Sequence, residues 1–226
     1  LVTLEDDVRN LWFIGEPVQV NYDLLFDGVF QVTDDIAGSA QPDAEPGHAK
    51  IKDVNEDGKI DAEDRTFIGS LEPDFIWGMN NSFTYRNFSL NIFIHGIQGV
   101  TRRNDLLGDD PAGDDTRKRF RINTPMWTPD NPINTMWAND VNANPHRVFI
   151  YENASFVRIK DITLGYNLPA EFNSKLGIYT SRVYLNLRNA FTITAWRGLD
   201  PELGNQRAIP LDRKSTRLNS SHRYVS

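Results

Sequence analysis

Phe88-Ser89-Leu90-Asn91-Ile92-Phe93-Ile94-His95 alternates residue by residue, with Phe88, Leu90, Ile92 and Ile94 on one side and Ser89, Asn91, Phe93 and His95 on the other. Successive side chains of an extended chain point to opposite faces, so this stretch predicts a β-strand with one apolar and one mostly polar face. Just upstream, Arg86-Asn87 reads as a tight turn. Before it, Phe75 to Tyr85 repeats the pattern, with Phe75, Trp77, Met79, Phe83 and Tyr85 opposite Gly78, Asn80, Ser82 and Thr84. Downstream, Phe156 to Leu168 sets Ile162, Leu164, Tyr166 and Leu168 against Asp161, Thr163 and Asn167. Arg182 to Thr194 sets Val183, Leu185, Leu187 and Phe191 against Tyr184, Asn186 and Arg188. A run rich in β-branched and aromatic residues, Val18 to Phe30, reads as a further strand after the Ile14-Gly15-Glu16-Pro17 turn. Leu4 to Trp12 is too brief to divide between a short helix and an arm.

The connections alternate in length. They are short at Gly15 and at Arg86-Asn87 and moderate over Pro169 to Thr180. They are long over Gln31 to Ser70, over Thr101 to Arg147 and from Trp196 onward. Short turns on one side and long loops on the other are the plan of a transmembrane β-barrel, and the strands have the length needed to cross a bilayer at a tilt. Trp77, Tyr85, Phe88, Tyr166 and Trp196 sit near strand ends, where an interfacial girdle needs them. A soluble β-sandwich with overgrown loops would alternate too. The expected fold is all-β: antiparallel strands of a partial transmembrane β-barrel with long extracellular loops. Arg158, Lys160 and Arg188 lie in strands, and a charge facing lipid at mid-membrane is costly, so they are expected near an interface or toward the lumen. Arg158 and Lys160 share the parity of Ile162 and Leu164, so a bulge or an interfacial position is required there.

The first long loop carries Asp53-Val54-Asn55-Glu56-Asp57-Gly58-Lys59-Ile60-Asp61-Ala62-Glu63-Asp64. Side-chain oxygens fall at the first, third, fifth, ninth and twelfth places of this window and a glycine at the sixth, the spacing of an EF-hand-like Ca²⁺ loop. Asp53, Asn55 and Asp57 would ligate by side chain and Lys59 by its carbonyl. Asp61 would act directly or through water, Asp64 would close the site, Gly58 permits the turn and Ile60 anchors the loop. Asp64 is one methylene shorter than the usual bidentate glutamate. An acidic surface turn containing glycine is the plainer alternative. The metal's expected role is structural, ordering an acidic loop that lacks an apolar core of its own.

The chain has 226 residues and a formal net charge of -7, which argues against a nucleic-acid binder working by phosphate neutralisation. It has no cysteine, so disulfide frameworks and thiolate metal sites are excluded. No apolar run is long enough for a transmembrane helix, which leaves a barrel open. His48, His95, His146 and His222 lack ligand spacing, and neither a Gly-x-Ser-x-Gly elbow nor a P-loop appears. Asp109, Asp110, Asp114 and Asp115 read as a solvated acidic loop or calcium ligands rather than a catalytic pair. The basic run Arg117-Lys118-Arg119-Phe120-Arg121 reads as a solvated face or a partner contact. Trp127 and Trp137 are expected to pack the second loop in preference to stacking on sugars.

Several segments together resemble the SusC/RagA family of TonB-dependent outer-membrane transporters, from about Trp12 to Pro201. They are Trp12-Phe13-Ile14-Gly15-Glu16-Pro17, Phe26-Asp27-Gly28, Ile51 through the acidic loop to Asp64-Arg65-Thr66-Phe67-Ile68-Gly69, and Phe75-Ile76-Trp77-Gly78. They continue with Trp127-Thr128-Pro129-Asp130-Asn131-Pro132, Phe156-Val157-Arg158-Ile159-Lys160-Asp161-Ile162-Thr163-Leu164-Gly165-Tyr166, Asn186-Leu187-Arg188-Asn189-Ala190-Phe191 and Gly198-Leu199-Asp200-Pro201-Glu202. The resemblance implies the C-terminal part of a barrel of about 22 strands. It implies import of large nutrients, oligosaccharides or peptides, across the outer membrane of a Gram-negative bacterium. A SusD-like surface lipoprotein would serve as partner, the TonB complex would act through the N-terminal part, and outer-membrane lipid would surround the barrel. No catalytic site and no nucleic-acid partner are implied.

The expected organisation is a barrel portion over 1–211. It includes an extracellular loop at 31–72 carrying the Ca²⁺ loop at 53–64, and a second extracellular loop at 101–150. Family members end in a membrane strand with a terminal aromatic residue. Here Leu211 is followed by the basic, serine-rich segment 212–226 without alternation, which reads as a non-native or artefactual tail on a gene fragment. A soluble secreted calcium-binding β module is the alternative class; it predicts a second copy of the twelve-residue loop, and none is present.

Overall fold

A computed structural model describes residues 5–107 and 124–203, and the backbone of 216–220. The acidic and basic runs between Asp109 and Arg121, and His222, lie outside the described residues. The described chain divides into two units, one of Leu1–Glu72 with Gly99–Asn153 and one of Pro73–Gln98 with Ala154–Ser226.

The second unit holds the strands that alternate most clearly. Four long strands form its sheet: β5 (Phe75–Tyr85), β6 (Phe88–Gln98), β9 (Phe156–Asn167) and β10 (Arg182–Thr194). The order is β11-β10-β9-β6-β5, all antiparallel, where β11 is Thr216–Ser220. The turn at Arg86-Asn87 joins β5 to β6 as expected, with Arg86 at φ 51°. A short helix, α1 (Ala170–Lys175), lies in the moderate connection between β9 and β10, where alternation gave no signal. Five residues of the segment expected to lie outside the fold thus pair with β10, from Val183 opposite Ser220 to Leu187 opposite Thr216. An edge strand presents unpaired N–H and C=O groups that a backbone joins whatever its side-chain pattern.

One face of this sheet gathers the apolar alternates. Phe83 pairs across to Leu90, Leu90 to Leu164 and Leu164 to Leu185, so this row is apolar from strand to strand. These side chains are open rather than packed: Phe83 is 59% exposed, Phe88 51%, Phe191 63% and Ile193 73%. The opposite face carries Ser82, Asn91, Thr163 and Asn186 in one row. A sandwich buries its apolar faces against a second sheet, whereas an apolar face left open over four strands is the outside of a membrane barrel. The sequence left these two architectures open, and exposure decides between them.

Of the two alternatives for Arg158 and Lys160, a bulge or an interfacial position, the structure shows a bulge. Phe93 pairs with Asp161 and the next residue, Ile94, pairs with Ile159, which leaves Lys160 as the extra residue against β6. Register also shifts against β10 between Arg188 and Phe191, where Asn189 has φ 50°. The slip exchanges the faces of β9. Ile159 and Val157 join the apolar side, and Arg158 faces His95 and Thr192 on the polar side.

The first unit is built from the two long segments. Val18 to Phe30 is not one strand: β1 (Val20–Leu24) pairs with β4 (Arg65–Ser70), and β2 (Phe26–Val29) pairs with β3 (Ala49–Ile51). The chain breaks at Leu25 because its halves find different partners, and Leu25 itself accepts the amide of Lys52 at 3.0 Å. A third pair joins β7 (Thr101–Arg103) to β8 (Tyr151–Asn153). Leu4 to Trp12 is neither helix nor strand over its described part; Asp7 and Trp12 bridge across a turn.

The acidic loop, expected to lack an apolar core of its own, is anchored by Ile60 on a cluster formed by other residues. Val29 of β2 and Ala49 and Ile51 of β3 pack with Leu107, Trp127, Met136, Trp137, Val148 and Ile150, and Ile60 of the loop packs against this cluster. Each such aliphatic side chain contributes about 1.5–3 kcal/mol on full burial. Two long polar segments can therefore hold a shape together that neither would hold alone. Trp127 and Trp137 are 6% and 1% exposed, core residues as expected, and the Trp127 indole donates to Gln31 Oε1 at 2.8 Å. Gly47, at φ +93°, lies so close to the Trp127 ring that a Cβ there would sit 2.5 Å from it.

Candidate functional site

The acidic loop leaves β3 and ends in a single 3₁₀ turn, Ala62–Asp64, that leads into β4. Asp53 accepts the amides of Glu56 at 2.7 Å and Gly58 at 2.9 Å. Asn55 accepts that of Asp57 at 3.1 Å, and Asp57 that of Lys59 at 3.0 Å. Short polar side chains turning back on amides a few residues ahead bend the backbone into a ring. Glu56 at φ 60° and Gly58 at φ 80° take the left-handed conformations that this curvature requires.

Asp61 caps the turn, accepting the Glu63 amide at 2.8 Å. Asp64 is 1% exposed and accepts the amides of Val54 at 2.8 Å and Asp61 at 2.8 Å. Burial alone would push its carboxyl up. The backbone donors of Asp61, Val54 and Asn55 outweigh that and hold it below the usual carboxylate range. The twelfth position is thus an internal latch that fastens the loop's two ends. Among the described residues, no three acidic or imidazole side chains converge closely enough to hold a metal ion in this arrangement. The side chains of Asp53, Asn55, Asp57 and Asp61 each accept an amide of the loop itself, and each such oxygen keeps a second lone pair beyond that bond.

A second constellation, on the polar face of the sheet, was not foreseen as a site. Arg158 on β9 is 2% exposed. Its Nη2 lies 2.6 Å from Asp200 Oδ1, its Nη1 2.6 Å from Glu202 Oε2, and its Nε donates to Thr192 Oγ1 at 2.9 Å. Lys160 Nζ, carried by the bulge, reaches the other oxygen of Glu202 at 2.6 Å. Two cations and two carboxylates cancel, and every Arg158 nitrogen has an acceptor. That is the condition under which a buried guanidinium is tolerated. The Phe156 ring lies 5.1 Å from the guanidinium carbon, and His95 packs edge-on against the same ring at 5.8 Å. The legible signal was the matched spacing: cations two apart on a strand, carboxylates two apart in Asp200-Pro201-Glu202. The cluster ties the segment after β10 to the polar face. Of the remaining histidines, His48 accepts the Glu45 amide at 3.2 Å within a turn and takes no part in either constellation.

No family model matches the chain. The TonB-dependent receptor P3 of Formosa agariphila is 31% identical over 206 residues, which cover 90% of this chain and 20% of that protein. The TonB-dependent receptor P26 of the same organism is 29% identical over 196 residues, 85% of this chain and 20% of that protein. The TonB-dependent receptor SusC of Bacteroides thetaiotaomicron is 28% identical over 153 residues, 67% of this chain and 15% of that protein. In fold, the chain is similar to the RagAB peptide importer in its open-open state, with a TM-score of 0.58 at 24% identity over 86% of this chain and 21% of that one. A second structure of the RagAB peptide transporter gives a TM-score of 0.56 at 25% identity with the same coverage. The chain therefore spans about a fifth of the length of these relatives, which are receptors and transporters rather than enzymes. The sheet with its open apolar face, the bulge that keeps Arg158 off that face and the similarity along most of the chain place it among the TonB-dependent receptors of the SusC/RagA kind, β-barrel proteins of the Gram-negative outer membrane.

Proposed function

We propose that the chain is the C-terminal part of the barrel of an importer of large nutrients, oligosaccharides or peptides, that works with a SusD-like surface lipoprotein and is driven through the TonB complex. The observation that carries the reading is the two-faced sheet, apolar and exposed on one side and lined with Ser, Thr, Asn and charged residues on the other. Such a sheet separates lipid from a wet lumen. The similarity to SusC supports the lipoprotein partner, and the similarity to proteins described as peptide importers supports peptides among the cargo classes. The parent gene and its neighbours test this. An adjacent gene for a surface lipoprotein is expected, and deleting the parent gene should abolish growth on one polymeric or peptide nutrient while sparing growth on its monomers. Unchanged growth on every such nutrient would overturn it.

We also propose that the 53–64 loop takes up Ca²⁺ as a structural ion through Asp53, Asn55, Asp57, Lys59, Asp61 and Asp64. Hydrogen bonds from the loop's own amides already set its curvature. Binding would need the carboxylates of Asp53, Asp57 and Asp61 to rotate inward, and Asp64 to exchange an amide for the ion. Isothermal titration of the parent receptor with Ca²⁺, against an Asp53→Ala and Asp57→Ala variant, tests it. Equal heats for the two proteins would remove the ion from the account.

A further inference from the structure

The connection between β9 and β10 leaves three large apolar side chains in the open. Phe172 is 49% exposed, Leu176 55% and Tyr179 95%. Fraying does not account for the first two, because the helix is clamped. Asn173 is 4% exposed, its Nδ2 donates to Leu168 O at 3.1 Å, its carbonyl accepts the Ile178 amide at 3.0 Å, and its Oδ1 accepts the Ser181 hydroxyl. At 100° per residue, fixing Asn173 inward fixes Phe172 and Leu176, four residues apart, together on one outer flank. Glu171 and Ser174 then fall on the opposite side.

This helix stands at the short-turn end of the sheet, where the lipid-facing side finishes in aromatics. Phe88 and Tyr166 stack there with ring centroids 4.6 Å apart, and Tyr85 is 69% exposed. Basic side chains accompany them. The Arg86 guanidinium sits 5.3 Å over the Tyr85 ring, and Lys175 follows in the last turn of α1. Apolar bodies flanked by cations suit the boundary between acyl chains and phosphates.

We propose that α1 is a membrane-interface anchor, with Phe172 and Leu176 set into the headgroup–acyl boundary of the leaflet at the short-turn end of the barrel and Lys175 and Arg86 directed to lipid phosphates. The inference rests on the outer-membrane barrel reading and extends the lipid contact from the strands to a connection. The girdle and the helix lie at the same end of the sheet, and the occupant is phospholipid. A water-exposed turn would gain nothing from a rigidly presented Phe–Leu pair.

The test is site-directed spin labelling of the full parent receptor in vesicles of phosphatidylethanolamine and phosphatidylglycerol. Labels would be placed singly at Phe172→Cys, Leu176→Cys, Glu171→Cys and Ser174→Cys, and at Phe83→Cys on the strand face. Accessibility to oxygen relative to a polar nickel reagent reads lipid against water. A ratio several-fold higher at 172 and 176 than at 171 and 174 is expected, with 83 higher still. Equal ratios at all four helix positions, or labels at 172 and 176 shielded from both reagents by protein, would overturn the anchor while a lipid-like value at 83 keeps the barrel. A water-like value at 83 would overturn the barrel reading itself.

Discussion

Arg158 and Asp200 approach to 2.6 Å with side chains 2% and 5% exposed, joining a residue of β9 to the segment that follows β10. The Lys160 bulge makes this possible by turning Arg158 to the polar face, and Glu202 binds both cations. Removing one partner of a buried pair strands the other charge. Asp200→Ala is therefore expected to destabilise the parent barrel by about 3–5 kcal/mol, read as earlier loss of the compact, heat-modifiable form on gels. Unaltered heat resistance would show that the pair contributes no net stability.

Deleting Lys160 should be no worse than replacing it. Lys160 is the extra residue of the bulge, so without it Ile159 stands next to Asp161 and plain alternation leaves Ile159 and Val157 on the apolar side and Arg158 on the polar side. An arginine turned to lipid would cost about 2–4 kcal/mol at the bilayer midplane and about 0–1 near an interface, and neither variant incurs that cost. Lys160→Ala and the deletion both lose the ion pair to Glu202. Both are expected to assemble in the outer membrane at similar levels, somewhat below wild type; a deletion that fails to assemble while Lys160→Ala assembles would contradict the assignment of faces.

In the loop unit, Asp64 holds its ends by two amide bonds from Val54 and Asp61. Its carboxyl is held below the usual range, so the folded pKa is below the unfolded one. The stabilisation is present above the unfolded pKa and is lost as pH falls through the folded value. Hydrogen exchange at Val54 and Asp61 should thus accelerate only in strongly acidic solution, and Asp64→Ala should accelerate it at neutral pH. Losing the partner cap at Asp61 by Asp61→Ala should cost about 1 kcal/mol. Protection unchanged in Asp64→Ala would dismiss the latch.

Tyr151 on β8 donates to Asp23 Oδ2 on β1 at 2.9 Å, linking the two strands. Burial pushes the Tyr151 hydroxyl up, and the Asp23 charge and its hydrogen bond push the same way. With the folded pKa raised, the contribution is complete below the unfolded tyrosine pKa and is lost as pH rises beyond it. Ultraviolet titrations of the parent receptor and of its Tyr151→Phe variant should coincide through the ordinary tyrosine range. A variant curve lacking a group that ionises in that range would refute the assignment. Tyr151→Phe should also cost about 1–2 kcal/mol through the lost donor.

How much was legible beforehand follows from the kind of physics each feature uses. A membrane-crossing strand is a local object, because facing lipid or lumen is decided residue by residue, and so Phe75–Tyr85 and Arg182–Thr194 were found with their observed ends. The need for a bulge or an interfacial position was legible as well, since two cations on an apolar parity cannot stay at mid-membrane. The ring of Asp53, Asn55 and Asp57 was legible as a turn-making pattern. That Asp64 spends its carboxylate on Val54 and Asp61 was not, because those bonds depend on where the loop's ends meet.

By itself the sequence determined the period of two, the crossing strands and the need for either a bulge or an interfacial position at Arg158 and Lys160, each a matter of neighbours along the chain. Only the tertiary structure decided that the apolar faces stay open and that Val18 to Phe30 divides between two partners. It alone brought Val29 and Ile51 to Trp137 and Ile150 in a shared core, and Arg158 to Asp200. Those outcomes join residues far apart in sequence, and the burial and ion pairing that fix them exist only once the distant segments have met.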